Sequence, residues 1–321
     1  MSRTVVTAAD IPSPRRARPP RSAIPALMND VGDDLLHRLP FRRPFAANTL
    51  LSFLAARALP GVEEVRDGSY RRSARTVDGD PVVVALTPDP VDDHVTIEVS
   101  SGRPSGATEL VHAARRAFDL DADPGEIDAA LARDPKLAPS VRRIPGIRVP
   151  GTFDAFELVL RAIFGQQVSV SGARTSLGRF AARFGTALDP PTGAITHLFP
   201  SAGQVAELAP DAFEMPRGRA EAIREVAELV AGGTLDLSGD APIQETLHIL
   251  GEVRGVGPWT LAYVAMRALR DPDAFMTGDL GVRRGFGTLG LPATSTELLE
   301  RAERWRPWRA YAVMHLWHAH P

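Results

Sequence analysis

The sequence contains no cysteine, which excludes disulfides, thiolate metal sites and cysteine-ligated iron–sulfur clusters together. Only one of its 37 basic residues is a lysine, Lys136, so candidates for an amine nucleophile all but vanish. No run approaches 18 consecutive apolar residues, and Met1-Ser2-Arg3-Thr4-Val5 leads into prolines without an apolar leader core. A cytoplasmic protein without membrane contacts is expected. The histidines show no metal-ligand spacing beyond His315 and His318 on one helix face, and there is neither a nucleophile elbow nor a phosphate-binding P-loop. The formal net charge is -2, so bulk electrostatics do not advertise a nucleic-acid binder. A local basic face would have to do that work.

What is present is a 321-residue chain, 44% hydrophobic, long enough for two or three domains with their own cores. Residues 1–36 carry Pro14-Arg15-Arg16-Ala17-Arg18-Pro19-Pro20-Arg21 and no apolar periodicity, the composition of a disordered arm. From Leu39 the pattern changes. A helix is expected over Thr49–Leu59 with Asn48 as its cap, then strands at Val62–Val65, Tyr70–Thr76, Val82–Thr87 and His94–Val99, then a helix over Thr108–Phe118. Residues 37–114 thus read as an α/β domain with helices on an antiparallel sheet. Beyond them the strand signal vanishes and helical periodicity takes over, so residues 115–321 read as all-α.

The most informative stretch is Leu250-Gly251-Glu252-Val253-Arg254-Gly255-Val256-Gly257-Pro258-Trp259-Thr260, which reads as helix, glycine hairpin and second helix. Gly255 and Gly257 let the backbone approach a partner closely while the next helix offers unpaired N–H groups, a seat for phosphate. It lacks the third glycine of a dinucleotide fingerprint and follows a helix, not a strand. Further on, Met276-Thr277-Gly278-Asp279 presents a carboxylate that suits a helix cap and also a catalytic acid near a nucleotide sugar. Trp259 and Tyr263 share a helix face, and with Phe53 and Trp317 they could form either core or an aromatic slot for a flat base.

Several motifs in order resemble those of the helix-hairpin-helix DNA glycosylase superfamily, and within it the inducible 3-methyladenine DNA glycosylase II type. They are Phe53-Leu54-Ala55-Ala56-Arg57-Ala58, Arg161-Ala162-Ile163-Phe164-Gly165-Gln166-Gln167-Val168-Ser169-Val170, the hairpin with Trp259-Thr260, Gly278-Asp279, and Ala302-Glu303-Arg304-Trp305-Arg306-Pro307-Trp308-Arg309-Ala310-Tyr311-Ala312. The resemblance spans roughly residues 37–320. It implies an α+β fold: a TATA-binding-protein-like antiparallel sheet with helices, then a two-lobed helical body. One lobe spans about 155–271 and the other about 115–154 with 272–321, and a flipped base is held between them. It implies Asp279 as the catalytic residue, Phe53, Trp259, Tyr263 and Trp317 as base pocket, and phosphate contacts at Gly255, Gly257 and Thr260. Gln167 falls where a side chain fills the gap left by the flipped base. No cofactor is required, although Na+ or K+ can be held through the carbonyls of Gly251, Val253 and Val256 when DNA is bound. The partner is double-stranded DNA carrying alkylated bases, met by a monomer.

Three departures stand out. Gln167 is polar where a well-known member is apolar, His318 replaces a pocket tyrosine, and Gly278 removes a carboxylate before Asp279. Lyase members carry a Schiff-base lysine where this chain has Trp259, so a monofunctional hydrolase acting on 3-methyladenine- and 7-methylguanine-type purines is expected. The alternative is a non-catalytic, structure-specific DNA clamp, for which Asp279 and the aromatics would be superfluous. With neutral hairpin donors and a few arginines such as Arg283 and Arg284 gripping phosphates, DNA affinity should fall with salt by a slope of roughly two to five phosphates. Titrations at several salt concentrations, with and without residues 1–30, measure that slope and any share carried by the arm.

Overall fold

The computed structural model describes residues 36–319 apart from 101–105, 240 and 292–293. The expected arm over residues 1–36 lies, but for its last residue, outside them. Five strands form one sheet: β1 (Leu36–Pro40), β2 (Glu63–Arg66), β3 (Ser69–Arg75), β4 (Pro81–Asp89) and β5 (His94–Ser100), in the order β1-β5-β4-β3-β2. Every neighbouring pair is antiparallel. Alternation makes the sheet's inner face: Val82, Val84 and Leu86 on β4 and Val95, Ile97 and Val99 on β5 are buried. Helix α2 (Ala107–Phe118) adds Leu110, Ala114, Ala117 and Phe118 to the same core.

The sequence pattern missed β1, a mostly exposed edge strand that shows no alternation to read. Helix α1 spans Ala47–Arg57, so Asn48 is inside its first turn and not its cap; Ala46 occupies that position without a side-chain hydrogen bond. Tertiary structure explains the shift, because the Ala46 N–H is held by the carbonyl of Gly146 at 3.1 Å.

The remainder is built from α3 (Pro124–Leu131), α4 (Ala138–Arg143), α5 (Ala155–Phe164), α6 (Val170–Phe184), α7 (Ala202–Ala206), α8 (Arg217–Ala231), α9 (Ile243–Glu252), α10 (Pro258–Arg267), α11 (Leu280–Thr288), α12 (Ser295–Ala302) and α13 (Arg309–Trp317). The all-α expectation for this part needs correcting. Strands β6 (Thr186–Thr192) and β7 (Ile195–Leu198) form a hairpin, hidden from the sequence because β6 is largely exposed, carries two prolines and lacks apolar alternation. The hairpin docks on the N-terminal domain: the N–H groups of Thr196 and His197 donate to the Gly61 carbonyl, and the Ser73 hydroxyl donates to that of His197.

Two apolar cores result. One joins the sheet, α2 and α3 to α11 and α13; the other gathers α5, α6, α8, α9 and α10 around Leu59 and Val62 from the segment after α1. Trp259 and Tyr263 on α10 touch both.

The sheet and the helical body are also joined by a buried ionic cluster. Arg72 of β3 donates to Glu157 of α5 at 2.7 Å and to Glu63 at 3.3 Å, while Arg161, one turn further along α5, donates to Glu63 at 2.6 Å and to Glu157 at 2.8 Å. The Tyr70 hydroxyl also donates to Glu63. Burial alone would push the Glu63 carboxyl up, but Arg161 and Arg72 outweigh it and hold it at about 2. Replacing one partner leaves buried charge uncompensated, so Glu63→Gln should cost about 3 kcal/mol at pH 7. Because the folded carboxyl lies below its ordinary value, its contribution is complete above about pH 4.5 and is lost as pH falls toward about 2. Denaturant unfolding should therefore show the gap between wild type and variant shrinking across that window.

Candidate active site

The hairpin between α9 and α10 is anchored from below and open above. Leu250, Val253 and Val256 are buried, the Val256 N–H closes the turn onto the Val253 carbonyl at 3.0 Å, and Gly255 adopts a φ of 99° that an L side chain rarely takes. No side chain caps α10, so its first-turn N–H groups remain available, with Gly257 at the cap and Pro258 behind it. This is a neutral seat for an anion at the positive end of a helix dipole.

Asp279 caps α11, accepting the Val282 N–H on Oδ1 at 2.8 Å. Two indoles complete its shell: Trp317 Nε1 donates to Oδ1 at 2.8 Å and Trp259 Nε1 to Oδ2 at 2.9 Å. One carboxylate thus joins α10, α11 and α13. Its geometry depends on Gly281, where an added Cβ would lie 2.7 Å from Trp317 Cδ1 and 3.1 Å from Asp279 Oδ1. Gly285, one turn on, lets the backbones of α11 and α13 approach, since a Cβ there would meet the Leu316 carbonyl at 2.3 Å.

The aromatics form two stacks. Trp259 and Tyr263 lie 5.2 Å apart at 15°, and Phe53 on α1 lies 5.9 Å from Trp317 at 15°. Between them and the hairpin opens a cleft of about 1190 Å³ whose lining includes Gln166, Gln167, Gly255, Gly257, Thr260, Asp279 and Trp317. Arg57, Arg161, Arg174, Arg267 and Arg284 line it. Arg267 is anchored on the carbonyls of Pro150 and Gly151 and donates to the Tyr263 hydroxyl at 2.6 Å. Burial would push that phenol up, yet Arg267 and Arg57 outweigh it and hold it below its ordinary value.

Gln167 is exposed at the cleft rim in a left-handed conformation, φ 60°. Its neighbour Gln166 bridges to the hairpin, donating from Nε2 to the Gly255 carbonyl at 2.9 Å and to Thr260 Oγ1 at 3.1 Å. Of the two arginines expected to meet phosphates, Arg284 lines the cleft, whereas Arg283 donates to the Thr277 carbonyl and is not part of the lining. The carbonyls of Gly251 and Val253 sit at the C-terminal end of α9, where acceptors outnumber donors, and that of Val256 lies in the turn just before α10. His318 sits with Nδ1 2.8 Å from the Met314 carbonyl and outside the cleft lining. His315 faces Ser140 in the core, where burial pushes its imidazole down to about 3, and the grouping of metal-ligating side chains among the described residues, Asp89 with Asp92 and His94, does not include this pair.

Sequence reading passed over Gln166, Arg57, Arg267, Gly281 and Leu280. The last is 59% exposed beside Asp279, and its exposure at a helix start has no sequence signal. The Arg304–Arg309 motif is structural: Trp305 is buried against Asp134, and Arg309 clasps Asp273. Because Asn caps helices as well as Asp, Asp279→Asn should retain most stability, while Asp279→Ala, losing the cap and orphaning two indoles, should lose about 1–2 kcal/mol. Thermal or urea unfolding of the two variants checks this.

Residues 36–154 match the model described as AlkA N-terminal domain, and residues 160–310 the one for the HhH-GPD superfamily base excision DNA repair protein. DNA-3-methyladenine glycosylase 2 of Escherichia coli is 34% identical over 88% of this chain and 97% of its own length. The probable bifunctional transcriptional activator/DNA repair enzyme AlkA of Mycobacterium tuberculosis is 43% identical over 87% of this chain. The chain spans only 56% of that relative's length. Among solved structures, 3-methyladenine DNA-glycosylase from Archaeoglobus fulgidus superposes with a TM-score of 0.74 at 23% identity, covering 88% of this chain and 97% of that one, which shows a shared fold. By domain content, identity and coverage, the chain belongs to the AlkA-type DNA-3-methyladenine glycosylases of the helix-hairpin-helix superfamily.

Proposed function

We propose that the protein is a monofunctional hydrolase that releases N3- and N7-alkylated purines from duplex DNA, drawing the damaged nucleotide out of the helix into the cleft. The observation that carries this reading is the placement of Asp279, oriented by three N–H donors, between an aromatic slot and a helix N-terminus able to seat phosphate. An alkylated purine is already cationic and a good leaving group. When its glycosidic bond breaks, the bonding pair departs with the base and cancels that charge, leaving positive charge on the sugar. A fixed carboxylate stabilises this charge and takes the proton of the water that attacks C1′. Trp259, Tyr263 and Trp317 would attract a flat cation by about 0.5–2 kcal/mol, enough to favour it without excluding other bases.

The hairpin amides and Arg284 would hold the phosphates, and Gln167 on the rim would enter the gap left by the extruded base. A bound Na+ or K+ at the carbonyls of Gly251, Val253 and Val256 would add positive charge toward a phosphate; no other cofactor is needed for hydrolysis. The protein would act as a monomer. No helix of the described residues is long and apolar enough to cross a membrane.

Asp279→Asn should lose most single-turnover excision, at least a hundredfold, while binding abasic-analogue DNA nearly as tightly as wild type. Retained excision would remove Asp279 from the chemistry, and a wild-type protein that binds DNA but releases no base would establish the clamp alternative. Lys136 lies on the loop between α3 and α4 and does not line the cleft, so among the described residues no amine is at hand for a Schiff base. Borohydride treatment of reacting complexes should trap no covalent adduct, and product strands should break only on alkali treatment. A trapped adduct would place the reaction in the lyase class.

A further inference from the structure

One wall of the proposed base slot is already occupied. Phe53 is only 5% exposed, and the Arg57 guanidinium, one helical turn further along α1, covers its ring with Cζ 3.7 Å from the centroid and 5.9 Å from that of Trp317. Arg267 approaches the same Phe53 ring at 5.1 Å. The two cations are held very differently. Arg267 is tied by two backbone carbonyls and the Tyr263 hydroxyl. Arg57 donates to the Phe53 carbonyl at 3.3 Å, is hydrogen-bonded to the Tyr263 hydroxyl and feels the charge of Asp279, and it forms no ion pair with a carboxylate among the described residues. A planar cation thus sits where a planar cation is proposed to bind: Arg57 lines the cleft without an anchoring carboxylate partner, and Phe53 lies beneath it, outside the lining.

We infer that Arg57 is a resident competitor for the base slot, a residue that every incoming base must displace before it can stack on Phe53. The inference rests on the base-excision reading above. A base cannot share the ring with Arg57 for want of room, and a cationic base would in addition meet two guanidiniums at one aromatic face. Displacing Arg57 forfeits its cation–π contact whatever base arrives, so the penalty is common to all bases. A cationic purine recovers it through its own attraction to the aromatic faces, whereas an undamaged base does not. Arg57 thus leaves the ratio between substrates unchanged and lowers the capture of all of them, which protects normal DNA from an otherwise accommodating slot.

The test uses the full chain with Arg57→Met, which keeps length and apolar bulk without charge, and Arg57→Gln as a second variant. Free 7-methylguanine is titrated into DNA-free protein with tryptophan fluorescence as the readout, and single-turnover excision of 7-methylguanine and of hypoxanthine from duplex DNA is measured in parallel. Both variants should bind the free base more tightly and excise both bases faster, by a common factor of about two- to thirtyfold, the worth of one cation–π contact. A charge serving only the C-terminal end of α1 would not raise either quantity when removed. A fall or no change in both, or a gain confined to 7-methylguanine, would overturn the inference; the last would mean that Arg57 stays in the slot and repels cations. Unfolding of both variants would make Arg57 a structural element and overturn it too. If wild type releases neither base, the excision reading fails, and the fluorescence titration still decides whether Arg57 competes for the slot.

Discussion

The constraint on which this structure turns is the buried cluster of Glu63, Arg72, Glu157 and Arg161. Two carboxylates and two guanidiniums taken out of water are tolerable only when they satisfy one another, and each of these charges has a partner on the other side of the seam between sheet and helical body. The cluster thereby sets where α5 lies against β3. From the far end of α5 hang the loop with Gln166 and Gln167 and, through Gln166, the hairpin itself. A sheet that contributes no lining residue to the cleft still decides its shape.

A second constraint operates at the cleft. Asp279 is at once a helix cap and the point where the indoles of α10 and α13 meet, so an element that would cap a helix anywhere is held by tertiary contacts in a single orientation. The same N–H donors that satisfy that carboxylate also aim it. The arrangement suits chemistry in which the protein stabilises developing positive charge and the leaving group departs unaided. Arg57 and Arg267 are positioned by carbonyls and aromatic faces, and Arg161 by glutamates outside the cleft lining, leaving Asp279 the cleft's own carboxylate.

Much of this was legible in the order of the residues, for local reasons. The glycines at 255 and 257, Pro258 after them, and the capping position of Asp279 are conformational requirements that a sequence states directly. Trp259 and Tyr263 announce a shared helix face by spacing alone. Alternating valines in β4 and β5 disclose a one-sided sheet, and family resemblance joined these local signals into a fold. Three strands escaped: β1 and β6, whose side chains are mostly exposed and therefore carry no pattern, and β7, whose four residues are too few to show one.

What the chain determined by itself was therefore the set of elements, the hairpin and the one acid beyond it, because torsions and periodicity depend only on near neighbours. Tertiary structure decided what meets what. Gln166 spans 89 residues to reach the Gly255 carbonyl, Gly281 matters only because Trp317 passes beside it, and Arg57 covers Phe53 only because α1 is packed at the cleft. Contacts of that kind arise from two cores closing on each other, and no local property of the residues involved records the distance across which they come together.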